Sequence, residues 1–182
     1  RSLSIRPDLA PPVEGFADLR RAAEWSGAWL ETAALPLWGG VGVDPATGAY
    51  REALTWAGKP HDPRCRARVQ ARQAFVFASA ARAGLWPSSA AARGALDLFL
   101  ERAARGDGLF MAVLDPTGAP VDGAAYLYEH AFLLLALSAL GDEDRAVALR
   151  GRLEAFRHPV GGFREAGERP FQANAQMHLL EA

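Results

Sequence analysis

Ala124-Ala125-Tyr126-Leu127-Tyr128-Glu129-His130-Ala131-Phe132-Leu133-Leu134-Leu135-Ala136-Leu137-Ser138-Ala139-Leu140 decides the fold. The stretch is long enough for a helix and apolar nearly all round, which marks a helix buried on every side. Its longest apolar part, 131–140, interrupted only by Ser138, is too short to span a bilayer. Gly141 ends it, and Asp142 can cap the helix that follows, to about Phe156. That next helix is amphipathic, with Arg145, Arg150, Arg152 and Glu154 on its outer face.

Upstream, the same alternation recurs. Residues 15–35 have helical spacing, with Phe16, Leu19, Ala23, Leu30 and Ala34 apolar and Arg20, Arg21, Glu24 and Glu31 polar, and Pro36 is expected to end the helix. A Gly-rich loop, 39–48, leads to a second helix over about 63–84. In it, arginines at 64, 66, 68 and 72 precede Phe75-Val76-Phe77. Trp86-Pro87 breaks this helix, and Ser88 or Ser89 can cap a third, to about Arg105. A second loop, 106–123, carries short strand-like pieces near 110–113 and a turn at Asp115-Pro116-Thr117-Gly118. Downstream, a third loop, 158–170, holds Gly161-Gly162-Phe163-Arg164-Glu165, and a sixth helix begins near Asn174. Three times an amphipathic helix, a Gly-rich loop with an aromatic, and a more apolar helix follow one another, at a period of roughly 50 to 60 residues. An outer ring of helices wrapped around an inner ring is the expected architecture, with the inner edge left open.

The 182 residues fit one domain, half of them hydrophobic and 23% charged. A formal net charge of -1 gives no electrostatic case for nucleic acid or an anionic membrane. The single cysteine, Cys65, excludes an internal disulfide and a multi-Cys zinc site. Together these make a soluble, cytoplasmic protein the expectation. The last helix runs to Ala182 without a capping signal, so a fragment of a longer protein is expected.

Candidate chemistry lies on the apolar helices. Asn174 and His178 are four apart and share a face. A His on such a helix reads first as a satisfied core residue; the sharper reading is an acid-base group. His178 and Glu181, at i,i+3, lack a further His or Cys at ligand spacing, so no metal is expected. Arg68 and Arg72 share a face of an aromatic-rich helix, where an unpaired charge is costly. Arg72 pairs with Glu129 or Glu52 on the plain reading, and anchors a substrate oxygen on the other. Glu129 suits a helix start, and His130 suits the core. Tyr50, Glu52, Phe110, Phe163 and Glu165 fall on the Gly-rich loops, which would form the rim of a pocket. No Gly-x-Ser-x-Gly elbow, phosphate loop or dinucleotide fingerprint is present.

Seven stretches in order carry a resemblance: Trp29-Leu30 through Trp38, Gly42-Val43-Asp44, Gly48 to Leu54, Arg68-Val69-Gln70-Ala71-Arg72-Gln73, Leu127 to Phe132, Gly161 to Glu165, and Asn174 to Ala182. The chain resembles the N-acylglucosamine 2-epimerase family, especially its mannose or mannose-6-phosphate isomerase branch. The resemblance implies an (α/α)6 barrel, of which residues 1–182 form the N-terminal half, about six of twelve helices. It implies interconversion of aldose and ketose, or inversion at C2 of an aldose, without a metal or redox cofactor. His178 matches an acid-base residue, Arg72 the active-site Arg, Asn174 the site Asn, and Tyr128 an aromatic that contacts sugar. Glu129 and Arg68, in the same motifs, complete the expected substrate-binding set. Two departures are Glu129, where Asp is common, and Ala175-Gln176, where Pro-His is common.

The implied mechanism is proton abstraction beside a carbonyl by His178, with the developing enediolate oxygen held by Arg72. The sugar, its phosphorylation and the choice between isomerase and epimerase stay open. The remaining acid-base residues belong to the family's second half, so these helices alone are expected to be inactive. The expected partner is a complementing second half-barrel or, as a homodimer, a second copy. Two other readings stand beside this one. A glycoside hydrolase-like enzyme would use two of Glu52, Glu129 and Glu165 at glycosidase separation. A non-catalytic helical interaction module would pair Arg72 and His178 structurally.

Overall fold

The computed structural model describes residues 15–182. Its helices are α1 (Leu19–Trp29), α2 (Leu35–Gly39), α3 (Ala67–Arg82), α4 (Ala90–Ala103), α5 (Leu127–Ala139), α6 (Glu143–Arg152) and α7 (Ala173–Glu181). Five short strands lie between them: β1 (Ala53–Leu54), β2 (Pro60–Asp62), β3 (Cys65–Arg66), β4 (Val113–Leu114) and β5 (Pro120–Asp122). No described helix is long and apolar enough to cross a membrane.

The inner layer is α3, α5 and α7, with α3 packed on α5 and α5 on α7; α4 and α6 back them from outside. Burial follows the sequence pattern. In α5 nine of thirteen residues are buried, whereas α6 buries only Leu149. Ala67, Ala71, Ala74 and Ala78 make a stripe of small, fully covered residues along α3. That stripe lets α5 approach closely, so that Leu133 and Leu137 are almost completely covered. Each such leucine contributes about 1.5–3 kcal/mol of burial.

Pro36 does not end the first helix. Residues Leu30–Ala34 form a π-helical turn, in which the Leu35 N–H bonds to the Leu30 carbonyl, and the chain continues as α2. The wider turn accommodates a ring that would collide with the carbonyl of an ordinary α-turn, and Pro36 falls at the start of α2, where its missing N–H costs little. The second helix also begins later than its arginines suggest. Residues Cys65–Arg66 are β3, paired with β4, so the helix starts at Ala67.

The loops repeat in detail. Tyr50, Phe110 and Phe163 each make an isolated bridge, to Val43, Ala104 and Arg157 respectively. The hairpins β1–β2 and β4–β5 share one register, Ala53 opposite Asp62 and Val113 opposite Asp122. Both turn through a glycine at positive φ, Gly58 (+70°) and Gly118 (+92°).

Each inner helix then clasps the aromatic of its own loop. Gln70 accepts from the Tyr50 N–H (2.9 Å) and donates to its carbonyl (2.7 Å). His130 accepts from the Phe110 N–H at Nε2 (3.0 Å), and Gln176 donates to the Phe163 carbonyl. Gln70, His130 and Gln176 therefore occupy equivalent positions of three repeats.

Candidate active site

The clasp places the candidate residues in register. Two positions before it stand Arg68, Tyr128 and Asn174; two positions after it stand Arg72, Phe132 and His178. The first set lines an open cavity of about 600 Å³ at the N-terminal ends of the inner helices, with Glu129 and Glu165. The second set forms a contact chain. The Arg72 guanidinium lies 4.0 Å from the Phe132 ring centroid, and the His178 ring 4.4 Å from the same centroid. Arg72 also donates to the Tyr128 hydroxyl at 2.8 Å, and Tyr128 meets His178 edge-on at 5.5 Å. Arg72, Tyr128, Phe132 and His178 thus converge from three helices.

Arg72 does not pair with Glu129 or Glu52, and among the described residues it has no carboxylate partner. Arg68 takes Glu129, and Arg66 takes Glu52. A cation held by an aromatic face and a phenol keeps most of its five N–H groups available. Nδ1 of His178 lies 2.9 Å from Glu181 Oε2, and its other ring nitrogen has no protein partner among the described residues.

The carboxylates have structural work. Glu129, 2% exposed, accepts from the Arg68 N–H (2.6 Å) at the start of α3 and pairs with that residue's guanidinium. Burial pushes its carboxyl up, and Arg68 opposes that. Glu165 accepts from the N–H groups of Leu127 (2.7 Å) and Tyr128 (2.9 Å), and so closes the N-terminus of α5 from a loop far along the chain. Glu52 is held by Arg66. All three carboxylates of the glycosidase reading are thus engaged by arginines or backbone donors. Removing Glu129 would leave a cation and a helix-start donor unpaired. Because Arg68 is 28% exposed, Glu129→Ala is expected to destabilise the whole protein by about 2–4 kcal/mol, below the cost of breaking a fully buried pair. Urea unfolding measures it, and a change under about 0.5 kcal/mol would refute a stabilising role for the Glu129–Arg68 pairing.

His130 is a core histidine. Nδ1 faces the Tyr126 carbonyl at 2.7 Å while Nε2 accepts from Phe110, which defines a neutral ring with its proton on Nδ1. Burial lowers its pKa, in keeping with that neutral form.

Neither Phe132 nor Glu181 stands out in the sequence as part of this cluster. Phe132 is legible only once the 60-residue register is noticed, which sets it opposite Arg72. Glu181 reads as a metal-ligand spacing, whereas in the structure it meets His178 directly.

Fold and site together define a protein of the α/α-barrel class, with polar side chains gathered where the inner helices begin. A family model described as N-acylglucosamine 2-epimerase matches residues 48–182, and the chain belongs to that family. It is 36% identical over 176 residues to a mannose-6-phosphate isomerase of Rhizobium meliloti (strain 1021), covering 89% of this chain and 45% of that protein. Among solved structures it is similar to a D-mannose isomerase, with a TM-score of 0.75 and 21% identity over 94% of this chain and 46% of that one. It is also similar to the cellobiose 2-epimerase of Bacillus thermoamylovorans B4167, with a TM-score of 0.76 and 20% identity over 90% of this chain and 49% of that one. These likenesses establish the fold as that of (α/α)6-barrel proteins. The chain spans about half the length of the proteins it matches.

Proposed function

We propose that, in the whole protein, this chain supplies one side of the active site of a cytoplasmic sugar isomerase or epimerase. The substrate is mannose or a related aldose, or an N-acylhexosamine inverted at C2. The observation that carries this is the contact chain Arg72–Phe132–His178, a cation and an imidazole held against one aromatic ring, with Tyr128 of the same cluster lining the cavity at the starts of the inner helices. The aldose relatives' names support the substrate class. The unpaired thiol of Cys65 suits a reducing compartment.

The chemistry follows from the acidity of a C–H beside a carbonyl. His178 takes or returns that proton, because an imidazole changes charge near neutral pH. The oxygen that gains charge as the enediolate forms lies against the N–H groups of Arg72. Asn174 and Tyr128 orient the sugar hydroxyls, and Arg68 with Glu129 holds the start of α3 so that Arg72 keeps its place. Isomerisation returns the proton to C1; epimerisation returns it to C2 from the opposite face and needs a second acid. A complementing second half-barrel supplies that acid in this reading, and a second copy of this chain is the other candidate partner.

Turnover of mannose and of an N-acylglucosamine by the whole protein in deuterium oxide tests the reading. Deuterium at C1 of a ketose product marks an isomerase, and deuterium at C2 of an aldose product marks an epimerase. Formation of neither product from either sugar would refute it.

A further inference from the structure

Among the described residues the His178 ring meets two aromatic side chains, Phe132 and Tyr128, and one carboxylate, that of Glu181. Phe132 and Tyr128 restrict where the ring can lie, but neither can decide which ring nitrogen carries the proton. The third contact can. Glu181 stands one helical turn further along α7, and its Oε2 lies 2.9 Å from Nδ1 of His178. A carboxylate is an acceptor only, so the hydrogen bond requires the proton on Nδ1. The other nitrogen, Nε2, is then a lone pair with no protein partner among the described residues. Lone pair and free position are what a base needs, and a histidine's tautomer is set by the bond its other nitrogen makes.

We propose that Glu181 is a positioning residue for His178: it holds the imidazole in the Nδ1–H form and so presents Nε2 as the proton-accepting atom. The role rests on the acid-base reading of His178 given above. It differs from the work of the other acids of the site. Glu129 and Glu165 are buried and bind backbone N–H groups at helix starts, whereas the Glu181 side chain is 56% exposed and touches His178. An exposed i,i+3 pair adds little stability, so removing Glu181 should leave the fold intact and change the imidazole.

The test uses the whole protein with Glu181→Ala and Glu181→Gln, whose amide oxygen can still accept from Nδ1. Nitrogen-15 spectra of the histidine rings, with His178 assigned by comparison with His178→Ala, report the tautomer of the neutral ring. The wild type and Glu181→Gln are expected to show Nδ1 protonated and Nε2 bare. Glu181→Ala is expected to lose that signature and to show the two forms mixed. In turnover, Glu181→Ala should lower kcat by about ten- to a hundredfold, the range known for partners that orient metal-bound histidines. KM should change little, and Glu181→Gln should recover most of the loss. An unchanged tautomer in Glu181→Ala would overturn the proposal, as would kcat within twofold of wild type beside an inactive His178→Ala. Should His178→Ala itself stay active, the acid-base reading fails, and the nitrogen spectra still decide whether Glu181 sets the tautomer.

Discussion

Replacing His178 by Ala in the whole protein is expected to lower kcat by at least about a hundredfold, the range of a positioned acid-base group. The imidazole is the one group of the cluster that can both accept and return a proton near neutral pH. Its neighbours Phe132 and Tyr128 offer a ring face and a phenol, and Arg72 is a permanent cation, so none of them can stand in for it. Since His178 is not the main anchor of the sugar, KM should move by only a few-fold. Exchange of the substrate's C2 hydrogen with deuterium oxide should fall in parallel with kcat, because the same proton transfer is removed. A loss of less than tenfold would reject His178 as the acid-base residue.

Arg72→Ala is expected to cost about 10²–10³ in kcat, the effect of deleting one donor to a developing oxyanion. The change to Lys is the more informative variant. Arg72 lies over Phe132 at 4.0 Å and donates to Tyr128 at 2.8 Å, an arrangement that uses a flat, delocalised cation with several directed N–H groups. A lysine ammonium keeps the charge but neither the stacking nor the fork, so Arg72→Lys should recover less than a tenth of the lost rate. Stability should fall by no more than about 1 kcal/mol in either variant, because the Phe132 contact is a partly exposed cation–π pair. Full activity in Arg72→Lys would show that charge alone suffices. Wild-type activity in Arg72→Ala would remove the residue from the mechanism.

The helices were legible because their signal is local. The apolar run of α5 and the outward arginines of α6 declare buried and surface helices in any context. Asp142 reads as a cap and accepts from the Arg145 N–H. Pro36 was misleading for an equally local reason: a proline breaks an α-turn, and the sequence carries no mark of the π-helical turn that admits it. The first hairpin, β1–β2, was illegible because its strands are too short for an alternating pattern.

By itself, then, the sequence determined an alternating set of outer and inner helices, the family that its ordered motifs place it in, and which few polar residues stand on the inner helices. Only the tertiary structure decided who meets whom. Arg68 takes Glu129 from 61 positions away, Arg72 takes Tyr128 from 56, and Glu165 closes a helix start 38 positions back. Arginine side chains are long, and Arg66, Arg68 and Arg72 could each reach more than one acid. The choice rests on how α3, α5 and α7 settle against one another, which the alanine stripe and leucine faces set through packing rather than through any pattern of charge.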